Sequence, residues 1–403
     1  MGIRLRRDWA YYALFQYFWI LVILPKFVQM ACLGALMCLI WFQSGKEKPL
    51  DGFTIVQLAF SLIYGVSIVV NALWGEHEMN RILAAINTWL ITVVAIFLYH
   101  LYRHAQINAA RIGKFALMNL LILILFWIVY VVTKGGSAFP VLGHTLSGED
   151  WVNGLYTPRF LGYMDYANLV VFCVLFFYPL ALCFLRGKRL AALVLTLGLF
   201  PVINATNSRT GLVLYLLLFL AYFFFEMQKH FFDYYKQRKF ALFAVAILAV
   251  IVVAVISFSQ ILRIVESIMG MREGSNGMRS MIYTQSLKIM WEQSPIIGIG
   301  IKDMLGDYPL GSHSTYIGVF YKTGIVGGLL YVITMLFMGI RSLLGKDTDR
   351  QAVTLKICIL ACMLMMAFED IDGANWCVCV FYILLALVQR PKLPENTEMR
   401  NIV

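Results

Sequence analysis

Long apolar segments recur along the whole chain, and they restrict what it can fold into more than any other feature. A transmembrane helix needs about 20 consecutive apolar residues, and twelve segments of the 403-residue sequence approach or exceed that length. With 61% hydrophobic and 14% charged residues, the composition lies outside the range of soluble domains. The sequence therefore predicts an all-α integral membrane protein with about 12 transmembrane helices, at residues 9–25, 27–43, 53–74, 82–102, 115–133, 160–185, 189–206, 210–226, 240–258, 312–341, 353–371 and 374–389.

The predicted helices and loops divide the chain into five regions. We expect helices 1–5 in residues 1–133, an outer loop in 134–158 and helices 6–9 in 159–258. Residues 259–311 are predicted to form an outer cap loop with amphipathic helices, and residues 312–403 to hold helices 10–12 and a cytoplasmic tail. Within the cap loop, the apolar positions of MRSMIYTQSLKIMWEQSP favour a partly buried helix that Pro295 ends.

The distribution of Lys and Arg indicates the orientation, because cytoplasmic loops of membrane proteins are enriched in these cations. With the N-terminus in the cytoplasm, most loop cations fall on the inner side, so both termini are predicted to be cytoplasmic. Arg4, Arg6 and Arg7 precede a first segment without a small-residue cleavage site, and we expect that segment to remain as a membrane helix. The net charge of +11 follows mostly from this topology and does not indicate nucleic-acid binding.

Several polar residues are predicted to meet at the outer mouth of the helices, on the face that is otherwise poor in cations. Its basic members are Arg159, Arg209, Arg279 and His313, and its other members are Asn168, Asn207, Ser208, Ser314 and Lys322. A single interfacial arginine often only anchors a helix to lipid headgroups, and a single histidine often only caps a helix. Four basic groups together favour an anion site, because guanidinium groups bind phosphate oxygens bidentately.

Two further features receive structural interpretations. Glu369, Asp370 and Asp372 are expected to form a solvated outer turn, with a sugar or cation site as the alternative. Lys322 is expected near the interface if the helix after His313 is broken around Gly324, Gly327 and Gly328. The eight cysteines all fall inside predicted spans, which favours neither a disulfide framework nor a metal cluster.

The residues around His313 resemble a known family. The spacing from His313 and Ser314 through nine residues to Gly324, and through two more to Gly327, is similar to a signature of the bacterial O-antigen ligase and polymerase superfamily. NSRTGL around Arg209 resembles an SR-containing turn of that superfamily, and MRSMIYTQSLKIMWEQSPIIGIGI resembles its arginine-led helix and P-x-x-G-x-G turn. RFLGYMDYAN resembles an earlier arginine segment. The resemblance covers residues 159–341, and the first five spans only by hydropathy.

The resemblance implies a GT-C-like fold and a glycosyltransferase that works at the outer face of the bacterial cytoplasmic membrane, without metal, cofactor or nucleotide sugar. The implied donor is a glycan linked to undecaprenyl pyrophosphate. Arg209 and Arg279, assisted by Arg159, would stabilise the leaving pyrophosphate. His313 would either deprotonate the acceptor hydroxyl or hydrogen-bond a phosphate.

Three functions remain open at the level of the sequence. The first is a polymerase that joins lipid-linked repeat units of a surface polysaccharide, with a chain-length regulator as a possible partner. The second is a ligase that transfers the finished glycan to lipid A-core or another surface acceptor. A transporter or flippase would also have many spans, but similar halves or several charges deep within the spans would be expected and are not clear.

Overall fold

The computed structural model describes residues 11–15 except 13, 26–44, 49–134 except 106 and 108, 168–234 except 186 and 207, 273–344 except 307, and 350–389 except 374. The described helices are α1 (Lys26–Ser44), α2 (Gly52–Trp74), α3 (Met79–His104), α4 (Ala109–Lys134), α5 (Asn168–Phe184), α6 (Arg189–Ala205), α7 (Arg209–Tyr234), α8 (Glu273–Gln293), α9 (Thr315–Leu344), α10 (Arg350–Phe368) and α11 (Asn375–Val388). A two-stranded antiparallel hairpin, β1 (Met304–Leu305) and β2 (Tyr308–Pro309), lies between α8 and α9.

Apolar helices dominate the described part of the chain and confirm the class of an all-α, multi-pass membrane protein. Four are long and apolar enough to cross a bilayer: Gly52–Trp74, Met79–His104, Arg111–Val129 and Thr315–Ser342. Five shorter apolar helical segments coincide with further predicted spans: Val170–Phe184, Arg189–Asn204, Thr210–Tyr222, Leu355–Phe368 and Cys377–Val388. The predicted span at 240–258 lies outside the described residues, as do most of the span at 9–25 and of the outer loop at 134–158. The prediction of twelve spans is not confirmed.

The core of the bundle is built around α5 and α11. Both are apolar on all sides, and a helix of that kind is stable only when it is buried. Consecutive side chains from Val171 to Tyr178 in α5 are fully buried, and α5 packs against α4, α7 and α10. Helix α11 packs against α3. These two helices form the apolar interior behind the polar groups at one end of the bundle.

Helix α2 joins two polar clusters at opposite ends of the bundle. At its start, Asp51 accepts a hydrogen bond from the Tyr99 hydroxyl at 3.2 Å and forms an ion pair with Arg103. Near its other end, the Asn71 side-chain amide donates to the backbone carbonyl of Gly298 at 3.0 Å. The 23 residues of α2 extend about 35 Å at the rise of an α-helix, which is sufficient to cross the hydrocarbon of a bilayer.

Helix α9 is broken at Gly324, which confirms the break predicted from the glycine pattern. Gly324 has φ 63° and ψ −164°, a combination that only glycine adopts readily. We call residues 315–323 the half-helix. It carries the residues that follow His313 and ends in the interior of the protein, so the backbone groups released by the break need other partners.

A second segment, residues 295–300, supplies those partners, and we call it the inserted turn. The N–H groups of Ile299 and Gly300 donate to the carbonyls of Tyr321 and Lys322 at 2.9 and 3.0 Å. In the other direction, the N–H of Ile325 donates to the carbonyl of Pro295 at 2.8 Å. The P-x-x-G-x-G sequence and the glycine of the His313 signature therefore form one structural unit.

Helix α8 lies against α9 and confirms the partly buried helix expected in the cap loop. Ile282, Ser286 and Met290, spaced four residues apart, are buried on one face, whereas Trp291 is exposed. The Ser286 hydroxyl accepts a hydrogen bond from the N–H of Gly311 at 2.7 Å. Helix α8 ends at Gln293, two residues before Pro295, and is continued by the inserted turn.

Candidate functional site

Three carboxylates after α10 organise the polar end of the bundle. Residues 369–372, which we call the acidic turn, follow α10 directly. Glu369 and Asp370 are buried, with residue exposures of 4% and 6%, and Asp372 is partly buried. The expectation of a solvated acidic turn is therefore wrong. A buried carboxylate requires a cation or hydrogen-bond donors, and the turn obtains these from three different elements.

Arg279 of α8 pairs with Glu369. Its guanidinium donates to the Glu369 carboxylate at 2.7 Å and to the backbone carbonyl of Phe368 at 3.2 Å. The Arg279 side chain is 30% exposed, whereas the Glu369 side chain is 5% exposed. The guanidinium thus neutralises a buried acid with one part of its surface while another part faces outward. That outward part is available to an anion.

The other two carboxylates pair with lysines. Lys302, which follows the inserted turn, donates to Asp370 at 2.5 Å and is 26% exposed. Lys322 of the half-helix pairs with Asp372 and lies 5.5 Å from the centroid of the Tyr64 ring. Only 3% of Lys322 is exposed. The structure therefore places Lys322 in a buried ion pair, while its position at the membrane interface stays a prediction.

The three ion pairs attach three segments to one turn. Glu369 attaches α8, Asp370 attaches the segment after the inserted turn, and Asp372 attaches the half-helix. A further link comes from Thr315, the first residue of α9, whose N–H and hydroxyl both donate to the Glu369 carbonyl at 3.2 and 2.9 Å. The acidic turn consequently fixes the residues on either side of His313 relative to Arg279.

His313 occupies the loop between the hairpin and α9. Its φ is 61°, an uncommon value for a residue with a side chain, and its carbonyl accepts a hydrogen bond from the Tyr283 hydroxyl of α8 at 2.5 Å. Burial, followed by the positive charge of Arg279, lowers the pKa of His313 to about 4. His313 is therefore neutral at physiological pH.

Burial acts differently on the two buried acids. It raises the pKa of Glu369 to about 7, although Arg279 opposes the shift. Burial also acts to raise the pKa of Asp370, but Lys302 and Lys322 outweigh it and hold that pKa below its usual value. At neutral pH, Asp370 is a permanent anion, whereas Glu369 is poised between its charged and neutral forms.

The structure brings Arg279, His313, Ser314 and Lys322 to one end of the bundle. Ser314 is buried, and its hydroxyl accepts a hydrogen bond from the N–H of Ile317 at 3.4 Å, so it caps the half-helix. This contact accounts for Ser314 through the local fold. A direct contact between Ser314 and substrate stays a prediction.

Arg209 and Asn168 are the first residues of α7 and α5, and their side chains lie outside what the structure describes. The two helix starts are close together, since a Cβ on Gly211 would lie 2.6 Å from the Val171 side chain. Ser208 is partly buried, and its hydroxyl accepts a hydrogen bond from the N–H of Gly211 at 3.3 Å. Arg159 and Asn207 are outside the described residues.

Two parts of this cluster, four residues in all, were not among the predicted site residues. The acidic turn, with Glu369, Asp370 and Asp372, was interpreted as solvated, and Lys302 was not selected. The sequence offered one signal for each, since three acids within four positions next to an apolar helix are costly unless paired, and Lys302 directly follows the glycine-rich turn. Neither signal identifies which cation meets which acid.

Comparison with known protein families gives a match to one family model. Residues 191–332 match the model of the family described as Wzy_C, O-antigen ligase. The match covers about a third of the chain and contains Arg209, Arg279, His313 and Gly324. It confirms the resemblance to the O-antigen ligase and polymerase superfamily and supports a glycosyl-transferring activity on lipid-linked glycans in general. No curated protein matches the chain at a significant level.

Proposed function

We propose that this protein is a polysaccharide polymerase, which transfers a glycan from undecaprenyl pyrophosphate to a hydroxyl of a second lipid-linked repeat unit. The observation that carries the proposal is the pairing of the family match with a cluster of partly exposed cations around His313. Arg279 and Lys302 are both partly exposed, and both influence the His313 ring electrostatically. Such a cluster is suited to the charge that develops on a leaving pyrophosphate.

Arg279 and Arg209 form the core of the proposed phosphate clamp, with Arg159 assisting. Support for Arg279 comes from its outward-facing guanidinium surface. For Arg209, one support is its position at the start of α7, because helix N-termini favour anions. A second support is that the neighbouring α5 approaches the segment just after the acidic turn, where Cys173 of α5 lies near Cys377. Asn168, Asn207, Ser208 and Ser314 are proposed to contact the glycan or phosphates around these arginines.

Neutral His313 is proposed to hydrogen-bond the donor phosphate or the acceptor hydroxyl. Its low pKa supports this role, because an imidazole with a pKa of about 4 is a weak proton acceptor at neutral pH. Lys322 is proposed to hold the half-helix through Asp372 and not to touch the substrate.

The site is proposed to lie on the extracytoplasmic side of the bacterial cytoplasmic membrane, with both termini in the cytoplasm. This assignment is supported by the concentration of loop cations on the opposite side and by the location of the Asp51–Arg103 cluster at the far end of α2. A chain-length regulator is proposed as a partner in the membrane.

A ligase is the second candidate, because the matching family is described by that name, although the match itself does not distinguish a ligase from a polymerase. It would transfer the completed glycan to lipid A-core or another surface acceptor through the same clamp. The two functions differ in the acceptor and not in the leaving group.

A reconstituted reaction tests both candidates. Purified protein in lipid nanodiscs is given a synthetic polyprenyl-pyrophosphate repeat unit, either alone or with a lipid A-core acceptor. Polymer from the repeat unit alone supports the polymerase, and transfer only when the core acceptor is present supports the ligase. Arg279→Ala should abolish either product, whereas Lys288→Ala on the same helix, which removes a 60% exposed cation, should not. Release of glycan from neither donor mixture by the wild-type protein would contradict the proposed function.

A further inference from the structure

Glu369 is a buried acid whose cation is a partly exposed side chain from another helix. Its backbone is fixed, because Thr315 donates two hydrogen bonds to its carbonyl. Within the described part of the chain, the cation paired with its carboxylate is Arg279. Arg279 belongs to a different helix, and its side chain is 30% exposed against 5% for Glu369, so an anion that enters the site meets the guanidinium first.

The groups around Glu369 come from several elements. Arg279 and Tyr283 face it from α8, Asp370 is its neighbour in the acidic turn, and Lys302 balances Asp370 from the segment after the inserted turn. His313 lies near Arg279 and Asp370. Among these, Arg279 supplies the attraction that keeps Glu369 ionised, and burial opposes it.

We propose that Glu369 accepts the proton of the acceptor hydroxyl during glycosyl transfer, and that Arg279 makes this step depend on a bound donor. The proposal rests on the proposed function. When pyrophosphate oxygens take over the Arg279 N–H groups, Glu369 is left as a buried carboxylate without its cation. A carboxylate in that situation binds a proton more tightly, so donor binding strengthens the base at the moment it is needed.

The step balances in atoms and charge. The acceptor oxygen forms a bond to the anomeric carbon, and the bond from that carbon to the pyrophosphate oxygen breaks, with its electron pair remaining on the pyrophosphate. The hydroxyl proton moves to the Glu369 carboxylate. When the lipid pyrophosphate leaves, Arg279 pairs again with Glu369 and the proton returns to water.

His313 is less suited to this task. An effective base has a pKa near the working pH, and the pKa of Glu369 is raised to about 7 while that of His313 is lowered to about 4. A neutral His313 can still orient the hydroxyl or the phosphate by hydrogen bonding.

The test compares Glu369→Gln with Glu292→Gln in the reconstituted transfer reaction. Glu292 is an ion-paired but 59% exposed residue of α8, and its variant should behave as wild type. Glu369→Gln should lower kcat by about 10²- to 10⁴-fold and leave donor affinity unchanged or increased, because Arg279 is released from its pair. The pH profile of kcat/KM, which reports the free enzyme, should fall below about pH 7 in the wild type and should lose that fall in Glu369→Gln.

Three results would overturn the proposal. The first is a wild-type kcat in Glu369→Gln at all pH values. The second is a decrease in activity at acid pH that persists in Glu369→Gln. The third is a loss of donor affinity that parallels the loss of kcat, because that result would indicate a structural role for Glu369. If Glu369→Gln does not fold, Glu369→Asp decides the question, because that variant should have a reduced kcat but should still lose activity at acid pH. A wild-type profile that is flat from pH 5 to 8 would exclude the role of Glu369 while leaving the transfer function intact.

Discussion

Replacement of Gly324 by alanine should uncouple the half-helix from the inserted turn. A Cβ at this position would lie 2.4 Å from the Ile296 carbonyl oxygen and 2.6 Å from the Gly298 nitrogen, and both are backbone atoms that cannot move independently. The backbone conformation, φ 63° and ψ −164°, adds strain of about 1–3 kcal/mol for a residue with a side chain. Displacement of the inserted turn would weaken its two hydrogen bonds to the carbonyls of Tyr321 and Lys322, at about 0.5–1.5 kcal/mol each.

These contributions give a loss of about 2–6 kcal/mol in the free energy of unfolding. Gly306→Ala is the matched control, because Gly306 also has positive φ, at 60°, but a Cβ there would meet nothing within 4 Å. It should lose only about 1–2 kcal/mol. Both values are measurable by denaturant titration in mixed micelles. Equal losses in the two variants would refute the argument that contact between the inserted turn and Gly324 determines the break.

Three other predictions follow from the ion pairs and the two ends of the bundle. Lys322→Met should destabilise the protein by about 3–5 kcal/mol, because a buried charge is left without its partner, and the added change Asp372→Asn should recover part of the loss; a double variant as unstable as the single one would contradict this. His313→Gln should lower the transfer rate without changing the shape of the pH profile between pH 5 and 8. A shift of the acid limb of that profile in the variant would indicate that His313 is the base. Gly277→Cys should react with a membrane-impermeant thiol reagent from the extracytoplasmic side, and Gly52→Cys only from the cytoplasmic side, since both positions are open. The background lacks the two native cysteines that are not buried. The reverse pattern of labelling would invert the topology.

The class of fold could be predicted from the sequence because the bilayer imposes a length and an apolar composition on each span. The same reasoning explains why the number of spans could not be predicted as well as the class of fold. Within the described residues, the apolar helical segments Val170–Phe184 and Cys377–Val388 are shorter than a full crossing and are buried by neighbouring helices, so apolarity alone does not separate a span from a core helix.

The break in α9 was predictable at Gly324 because glycine is the residue that permits it. The inserted turn was predictable only as a sequence motif. No local pattern indicates that residues 295–300 supply the backbone partners for the helix break at Gly324. Its hydrogen bonds to Tyr321 and Lys322 depend on tertiary contact.

The electrostatics of the site were the least predictable part. Glu369, Asp370 and Asp372 look solvated in sequence because their partners lie 50 to 90 residues away, on separate elements. The low pKa of His313 is likewise beyond the reach of the sequence, because burial and Arg279 act on the imidazole only in the folded structure.

The affinity for a non-reactive polyprenyl pyrophosphate tests the central claim, that Arg279 belongs to a phosphate clamp, most directly. Titration into the purified protein in nanodiscs gives Kd for the wild type, Arg279→Ala and the same-helix control Lys288→Ala. The account predicts a loss of about 10- to 150-fold for Arg279→Ala, which corresponds to about 1.5–3 kcal/mol for a charge-assisted hydrogen bond, and no change for Lys288→Ala. An unchanged Kd in Arg279→Ala would contradict it and would leave Arg279 only as the counterion of Glu369.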